Sequence, residues 1–507
     1  MNEAMNKIMK YMGIVALALT GALMSSCGTD DDIIENAPQT ADEQPAKKDN
    51  TVIVKLTVNR GAQTKALTPE GVKTFAVNDQ IFLEYPSTSG ATAHAVSAAL
   101  KEGDITNGGH SATFTFELTN PQDGNVTLSY PASMLNEDGS PNESLIRSQN
   151  GTLDNASRLD WSFGNGTLSG NEVGEVILTN HMVVMEYTLK DASGENNITS
   201  TITQFTVSDG TNTYTVNRAA GAGPIYVVMY PTDKDNIEYL ATDGTKYYTK
   251  SVTDKTYYSG HIYPLGLRMT EVSSKPANAI NGLFTISSTK LAYFAKGNLR
   301  YTGSWSFFDN QYGCYDTYSA DDWDKFGWVG STGSLASATP GVWGVSNEVT
   351  NSYYGTTLDH LASDWGNVPG IGTGWRTLTS AEWDYLFNTR TVNGGTGAGH
   401  SYTLGQSVNS VLGVVLYPDN YTGDEYSGSN WSDFQTAGCV FLPAAGFRNS
   451  TLFEPKNSLY NTEGNYWSST ASSAEKAYVV TFRLDNLTVQ PSDRYYGCSV
   501  RLIYSAN

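Results

Sequence analysis

The sequence predicts a mainly β protein with two tandem antiparallel β-sandwiches followed by an α+β domain. Charged residues make up only 16% of the 507 residues, whereas 49 are Gly and 31 are Tyr, a composition that favours strands and turns. Runs of alternating apolar and polar residues, typical of half-buried strands, dominate the first half. Nine of the ten Trp residues lie beyond residue 280, which indicates a different kind of domain there.

Residues 1–27 predict a lipoprotein signal peptide. Lys7 and Lys10 precede an apolar run from Met12 to Met24. At about 1.5 Å per residue this run is too short to cross a bilayer, but it has the length of a signal-peptide core. It stops at Ser25-Ser26-Cys27, and small residues before a single Cys resemble a bacterial lipobox. The resemblance implies lipidation of Cys27 and anchoring in the outer membrane; an ordinary secretory signal is the alternative.

Residues 28–50 predict a flexible acidic tether, because Pro, Gln, Lys, Asp and Glu dominate and large apolar residues are few. Asp30-Asp31-Asp32, directly behind Cys27, resembles the surface-export signal of Bacteroidetes-type lipoproteins. We therefore expect a surface-exposed, lipid-anchored protein. Its net charge of −20 argues against nucleic-acid binding, since that affinity comes from clustered Lys and Arg.

Residues 51–165 and 166–269 predict the two sandwiches. Val52-Ile-Val-Lys-Leu-Thr-Val58 and Ala112-Thr-Phe-Thr-Phe-Glu-Leu118 alternate as strands with one buried face do. Further strands follow beyond residue 175, and no helix of consequence separates them. Short strands divided by turns are typical of sandwiches.

Three segments carry a family resemblance. They are Thr74-Phe-Ala-Val-Asn-Asp-Gln-Ile81, Leu178-Thr-Asn-His-Met-Val-Val184 and Tyr258-Ser-Gly-His-Ile-Tyr-Pro-Leu-Gly-Leu267. With them, residues 51–269 resemble the fimbrillin family of pilins and pilin-like surface lipoproteins. The resemblance implies a β-sandwich fold and a place on the cell surface or in a fimbrium.

The same resemblance implies maturation by proteolysis after a basic residue behind the first strand. Such a cut frees a groove for a strand donated by another fimbrial subunit, which adds to an open sheet edge. Arg60 is the candidate residue and Lys65 the second; an unprocessed loop is the alternative.

Two histidines lie inside apolar runs of this region, His181 and His261. Hydrogen-bonded strand residues are favoured over metal ligands, because neither stands in a cluster of Cys, Asp or Glu. We predict no metal site. Residues 270–280 then predict a linker.

Residues 281–507 predict the α+β domain. Thr379 and Glu382 form a capping box at the start of a helix that extends to Phe387. A hairpin is predicted over 477–490, and a last strand over 498–503.

This region also resembles known domains. Gly374-Trp-Arg-Thr-Leu-Thr-Ser-Ala-Glu-Trp-Asp-Tyr385 resembles the signature of formylglycine-generating-enzyme-like domains. Phe441-Leu-Pro-Ala-Ala-Gly-Phe-Arg448, Asn465-Tyr-Trp-Ser-Ser-Thr470 and Tyr496-Gly-Cys-Ser-Val-Arg-Leu502 resemble the FISUMP domain. Both families are related to the C-type lectin-like fold, which the resemblance implies here.

Three thiols remain after lipidation: Cys314, Cys439 and Cys498. Cys439 and Cys498 lie in strand-like runs that neighbouring strands would bring together as a disulfide; two buried free thiols are the alternative. Formylglycine-type catalysis requires a reactive thiol pair, and core-like cysteines do not supply one. We predict no enzyme activity, no catalytic residue and no cofactor.

Aromatic residues are the candidate ligand contacts. Those in Gly-, Ser- and Asp-rich loops are favoured, because recognition residues concentrate in loops. They are Trp305, Trp365, Trp431, Tyr353, Tyr354 and Tyr421. Calcium-dependent sugar binding is not expected, since Glu454-Pro-Lys456 and Trp431-Ser-Asp433 match the C-type lectin ligand motifs neither in content nor in order.

We therefore expect a surface lipoprotein in cell adhesion or ligand recognition, with a host or bacterial glycan or protein as ligand. A position at the tip of a fimbria is favoured, because a folded C-terminal domain blocks strand donation while the first sandwich can still accept a strand. The alternative is a carbohydrate-binding lipoprotein that does not polymerise.

Overall fold

The structure is a computed structural model. It describes residues 51–60, 74–221, 223–234, 236–317, 319, 321–328, 364–449, 452–453, 463–473 and 475–506. Strands dominate there, which confirms the mainly β class. The predicted signal peptide with Cys27, the predicted tether, Lys65, Tyr353 and Tyr354 lie outside the described residues. Within them, no helix combines the length and apolar character needed to cross a membrane.

The first sandwich is built on a nine-stranded sheet. Its path is β3-β2-β6-β8-β10-β1-β5-β4, and β9 pairs with β8. Apolar residues from both halves of the sheet meet in one core, among them Phe114, Phe116 and Leu128. The elements of residues 51–180 are β1 (Thr51–Arg60), β2 (Phe82–Pro86), β3 (Thr92–Val96), β4 (Ile105–Thr106), β5 (Ser111–Thr119), β6 (Gly124–Tyr130), α1 (Glu143–Arg147), β7 (Ser148–Gln149), α2 (Leu153–Leu159), β8 (Ser162–Ser169), β9 (Glu172–Val173) and β10 (Val176–Asn180).

The second sandwich has two sheets, ordered β14-β11-β17 and β18-β16-β15-β12-β13-β7. The rings of Tyr187, Phe205 and Tyr239 pack between them at 5.0–6.0 Å. The strands are β11 (Val183–Lys190), β12 (Gln204–Ser208), β13 (Thr213–Asn217), β14 (Ile225–Met229), β15 (Asn236–Thr242), β16 (Tyr247–Thr253), β17 (Ile262–Arg268) and β18 (Thr270–Glu271).

The chain does not pass from one sandwich to the other near residue 165, where the sequence places the boundary. β8, β9 and β10 return to the first sheet and bury Leu168 and Val176 in its core. The earlier residues Ile146 and Leu159 pack in the second core instead. The stretch from 136 to 174 lacks sustained periodicity, so no local pattern assigns it to either core.

The pairing is not purely antiparallel. β1 is parallel to β10, with Val58 opposite Val176, and β17 is parallel to β11, with Val184 opposite Ile262. The prediction of purely antiparallel sheets is wrong for these two pairs. Each pair joins strands that are far apart in the sequence, so no short hairpin turn forces them to be antiparallel.

The described residues of the C-terminal region form four larger sheets and two two-stranded ones. The larger sheets are β19-β20-β37-β25, β22-β21-β23, β24-β36-β33-β34-β35 and β28-β29-β30. The elements are β19 (Ala279–Thr285), β20 (Leu291–Ala295), β21 (Leu299–Thr302), β22 (Trp305–Phe307), β23 (Asp322–Trp323), β24 (Lys325–Phe326), β25 (Trp375–Thr377), α3 (Ser380–Asp384), β26 (Thr391–Val392), β27 (Gly395–Thr396), β28 (Tyr402–Val408), β29 (Val411–Leu416), α4 (Trp431–Thr436), β30 (Val440–Pro443), β31 (Arg448–Asn449), β32 (Leu452–Phe453), β33 (Gly464–Ala471), β34 (Lys476–Phe482), β35 (Leu487–Asp493), β36 (Cys498–Ser499) and β37 (Leu502–Ser505).

The predicted helix and hairpin are confirmed. The Thr379 hydroxyl accepts the Glu382 backbone N–H at 3.1 Å, and the Glu382 carboxylate accepts the Thr379 N–H at 2.8 Å. A π-helical turn over Tyr385–Thr389 continues α3. β34 and β35 form the hairpin. The expected last strand is instead divided into β36 and β37.

The predicted linker is partly built into the fold. β18 pairs with β16, and Val272 donates its N–H to the Tyr247 carbonyl at 2.8 Å. Beyond it, the Thr289 hydroxyl donates to the Glu238 carboxylate at 2.6 Å. The C-terminal region therefore contacts the second sandwich directly, through hydrogen bonds that the polar sequence of 270–280 does not reveal.

Candidate strand-acceptor and ligand-binding sites

β1 contributes an apolar stripe to the first core. Val54, Leu56 and Val58 are at most 2% exposed, while Ile53 on the opposite face is 59% exposed. Burial of side chains of this size stabilises by about 1.5–3 kcal/mol each. Removal of β1 would uncover a groove with three apolar sites in a row, which are now filled by Val54, Leu56 and Val58 at alternate positions of the strand.

The hydrogen bonding of β1 is uneven. The strand pairs with β5 from Thr51 to Asn59, but with β10 only over Val58–Arg60. Arg60, the candidate cleavage residue, is therefore still inside the ladder, opposite Leu178. A protease needs an extended, unpaired substrate, so cleavage at Arg60 requires this end of β1 to open.

The free edge of β14 in the second sandwich is capped. Tyr226 donates its N–H to the Gly151 carbonyl at 2.9 Å. Val228 donates its N–H to Gln149 Oε1 at 2.9 Å, and Gln149 Nε2 donates to the Val228 carbonyl at 2.6 Å. The side-chain amide of Gln149 thus takes the place that a peptide group of an added strand would occupy.

The free edge of β17, on the other side of the same sheet, is interrupted. Val184 donates its N–H to the His261 carbonyl. The parallel register then turns the backbone groups of Ile262, Pro264 and Gly266 away from β11. Pro264 has no N–H, so this edge cannot form a continuous ladder. Neither edge of this sheet, as described, offers the second sandwich a ready acceptor for a donated strand.

Trp305 and Trp365, two of the candidate ligand contacts, are core residues. Trp305 is 9% exposed and Trp365 is fully buried, with ring centroids 5.8 Å apart. Both pack against Phe326. The ligand-contact prediction is wrong for this pair, because Gly- and Ser-rich flanks here accompany tight packing and not an exposed loop.

Tyr421 and Trp431 lie at the surface of a smaller aromatic cluster, each half-buried. The Tyr421 ring stacks on Tyr417 at 4.8 Å, and its hydroxyl donates to the Asp424 carbonyl at 2.6 Å. Trp431 Nε1 donates to Gln435 at 3.1 Å. Tyr421 and Trp431 therefore remain predicted ligand contacts, although part of each ring packs inside the cluster.

The predicted Cys439–Cys498 disulfide is not formed. Both thiols are free, and they lie in separate core clusters, Cys439 beside Phe441 and Cys498 beside Trp467. Burial raises the pKa of Cys439 to about 12 and also raises the pKa of Cys498 far above that of an ordinary thiol. Neither thiol has the reactive character that a catalytic cysteine needs.

His181 packs against aromatic rings, whereas His261 makes a hydrogen-bond contact at the surface. The His181 ring contacts Trp161 at 5.0 Å and Phe163 at 5.3 Å, and burial lowers its pKa. His261 is exposed, with Nδ1 at 2.9 Å from the Ser259 carbonyl. Within the described part of the chain, no three His, Cys, Asp or Glu side chains are grouped as a metal site would require.

A polar surface that the sequence does not single out lies on the sheet β33-β34-β35. Cross-strand register places Asn465 opposite Thr481, and Thr481 opposite Thr488. Pairs at such positions share one face of a sheet. We call this surface the polar ladder and define it by Glu463, Asn465, Thr481, Arg483, Thr488 and Gln490. The alternation of side chains in β34 and β35 is the one sequence pattern that could have indicated this surface. That pattern does not distinguish a solvent-exposed sheet face from a face that is covered by other parts of the chain.

Hydrogen bonds order the polar ladder. The Thr481 hydroxyl donates to Asn465 Oδ1 at 3.0 Å, and Asn465 Nδ2 donates to Glu463 Oε1 at 3.0 Å. Arg483 Nε donates to Glu463 Oε2 at 2.8 Å. Two clefts of about 160 and 150 Å³ lie over these residues and share Thr481 and Gln490.

Comparison with known proteins gives limited matches. Residues 426–503 match a family described as Domain of unknown function (DUF8237), a segment that includes the polar ladder and α4. No curated protein matches the chain.

Several solved bacterial structures resemble the chain at low identity. A candidate cell adhesion protein from Bacteroides ovatus is 13% identical, with a TM-score of 0.27, over 45% of this chain and 97% of its own. A fimbrial assembly protein from Parabacteroides distasonis is 11% identical, with a TM-score of 0.25, over 49% and 96%. A fimbrial protein from Bacteroides ovatus is 13% identical, with a TM-score of 0.21, over 90% and 99%. Likeness at this level assigns no function.

Proposed function

We propose that the chain is a surface adhesion protein, anchored by a lipid on Cys27, that joins a fimbria through its first sandwich and recognises a ligand through its C-terminal region. The observation that carries the proposal is the arrangement of β1. This strand fills three adjacent core positions, pairs with β10 over only three residues and ends at a basic residue. A strand of that kind is suited to replacement by a donated strand.

The edges of the second sandwich support a terminal position in the fimbria. β14 is capped by Gln149 and Gly151, and β17 carries Pro264 on its free side. Beyond this sandwich the chain continues into the folded C-terminal region. Such a subunit is suited to accept a strand through its first sandwich, whereas β37, the last strand of the described residues, is already paired with β20 and β25 and is not free to be donated.

A second candidate function is a carbohydrate-binding lipoprotein that does not polymerise. The polar ladder favours ligand recognition by the C-terminal region whether or not the chain enters a filament. We expect no enzyme activity, since burial raises the pKa of both the Cys439 and the Cys498 thiol and the two residues belong to separate clusters.

Mass spectrometry of the protein taken from the native outer surface, intact and after mild shearing, separates the two functions. A chain that begins after Arg60 or Lys65 and co-purifies with sheared filaments supports the fimbrial subunit. A chain that begins at acylated Cys27 and stays with the cell refutes filament incorporation. Arg60→Gln and Lys65→Gln, with Lys55→Gln as the control inside β1, identify the cleaved bond.

A further inference from the structure

We propose that the polar ladder, together with the rings of Tyr496 and Phe447, is a binding site for a neutral oligosaccharide, with one pyranose ring in each of the two clefts. The inference deepens the ligand recognition of the proposed function and names the class of ligand. It does not depend on whether the chain polymerises.

The polar groups of the site suit the hydroxyl groups of a sugar. An amide group can accept a hydrogen bond from one sugar hydroxyl and donate to a neighbouring one, and a carboxylate accepts from hydroxyls. Asn465 is 6% exposed and lines the larger cleft, where its amide is oriented by Glu463 on one side and Thr481 on the other. A buried amide held in this way is preorganised, so little conformational entropy is lost on binding.

Two aromatic rings line the larger cleft. Tyr496 and Phe447 are half-buried, and their rings meet edge to face with centroids 5.5 Å apart. Val479 and Pro491 also line this cleft. A pyranose has an apolar C–H face as well as hydroxyl groups. A cleft lined by aromatic carbon as well as by amide, hydroxyl and carboxylate groups matches both.

The size of the clefts limits the ligand. The larger and the smaller cleft measure about 160 and 150 Å³. That is room for one sugar ring, and far less than the roughly 300–1,000 Å³ of a site for a drug-sized molecule. Because both clefts share Thr481 and Gln490, two linked rings can lie across the strands.

The charge of the site favours a neutral sugar. The Arg483 guanidinium contacts the Glu463 carboxylate at 2.6 Å, and the Glu463 side chain is 17% exposed. An acidic sugar would place a second carboxylate near Glu463 and compete with it for Arg483. The desolvation and repulsion that follow act against anionic ligands.

The edge of β35 is unsuited to the alternative ligand, an extended peptide. The backbone N–H of Arg483 donates to the Asn486 carbonyl. This bond fixes which residues of β35 direct their backbone groups toward β34 and which direct them toward the free edge. Pro491 is one of the residues whose backbone faces the free edge, and a proline has no N–H to donate there. A peptide therefore gains no continuous ladder there, whereas the side chains of the sheet face remain accessible.

The test is a glycan array, followed by titration calorimetry, with the full mature chain. The array contains neutral di- and trisaccharides and their sialylated counterparts. We expect binding to a subset of neutral glycans, with a loss of at least about tenfold in Gln490→Ala and in Tyr496→Leu. Gln406→Ala on β28, a half-exposed strand glutamine outside the site, is expected to bind as the wild type does. Thermal unfolding verifies that each variant is folded.

The proposal is overturned if only sialylated glycans or peptides bind, or if Gln490→Ala and Tyr496→Leu, both folded, bind neutral glycans as well as Gln406→Ala does. Absence of any binding to the neutral panel also overturns it. Mass spectrometry tests incorporation into filaments separately from sugar binding. Either proposal can therefore be overturned while the other is supported, and the two failures are distinguishable.

Discussion

The side-chain amide of Gln149 hydrogen-bonds both backbone groups of Val228, a residue 79 positions further along the chain. Gln149 also belongs to β7, which pairs with β13 in the opposite sheet. One side chain therefore joins the two sheets of the second sandwich and closes an edge that would otherwise expose a donor and an acceptor.

The first prediction concerns this amide. Gln149→Ala leaves the N–H and C=O of Val228 buried without partners, at a cost of about 1–3 kcal/mol per group. We expect the free energy of unfolding in urea to fall by at least about 2 kcal/mol. Gln204→Ala, an exposed glutamine on β12, is the control and should change it by no more than about 0.5 kcal/mol. An equal, small effect of both changes would show that the capping of β14 is not important.

A second prediction tests the replaceability of β1. A chain that starts at residue 61 is expected to be destabilised, because Val54, Leu56 and Val58 leave the core. A synthetic peptide with the sequence of Thr51–Arg60 should bind it and restore the melting temperature. The same peptide with Leu56→Asp should fail, whereas a Thr57→Asp peptide, changed on the exposed face, should still bind. Equal rescue by both peptides would contradict strand replacement.

The helix cap on α3 predicts a pH dependence. Burial raises the pKa of Glu382, but hydrogen bonds from Arg376 outweigh it and hold this pKa below its usual value. A carboxyl with a lowered folded-state pKa contributes stability above its unfolded pKa of about 4.3, and that stability is lost as the pH falls through the folded value. We expect Glu382→Gln to be less stable than wild type at pH 7 and the gap to narrow below pH 4. Glu117→Gln on the exposed face of β5 is the control. A gap that stays constant with pH would contradict this role.

The separate positions of Cys439 and Cys498 predict insensitivity to reductant. With no disulfide between them, dithiothreitol should leave the melting temperature unchanged. Their raised pKa values and burial should also protect both thiols from a thiol reagent at pH 8 until the chain unfolds. Rapid labelling of either residue in the folded protein would contradict this prediction, and Cys439→Ser and Cys498→Ser variants show which thiol reacts.

Features encoded by neighbouring residues could be predicted from the sequence. Alternation over 52–58 and 112–118 predicted β1 and β5, since the period of side chains in a strand is two. Thr379 and Glu382 predicted the start of α3, because a capping box needs only residues three apart. The prediction of a mainly β fold depended on the same local patterns together with the low charge and high Gly and Tyr content.

The tertiary structure decided which strands share a core and which faces stay open. Leu168 and Ile146 are equally apolar, yet the later residue joins the first core and the earlier one the second. Trp365 is buried and Trp431 half-exposed although polar residues directly precede both in the sequence. Thr481 belongs to an open cleft only because Asn465 and Thr488 lie opposite it on neighbouring strands. A local pattern specifies whether a side chain is apolar and needs burial, or polar and needs a hydrogen-bond partner. Which residue buries it or bonds to it is decided by long-range packing, which depends on the whole chain.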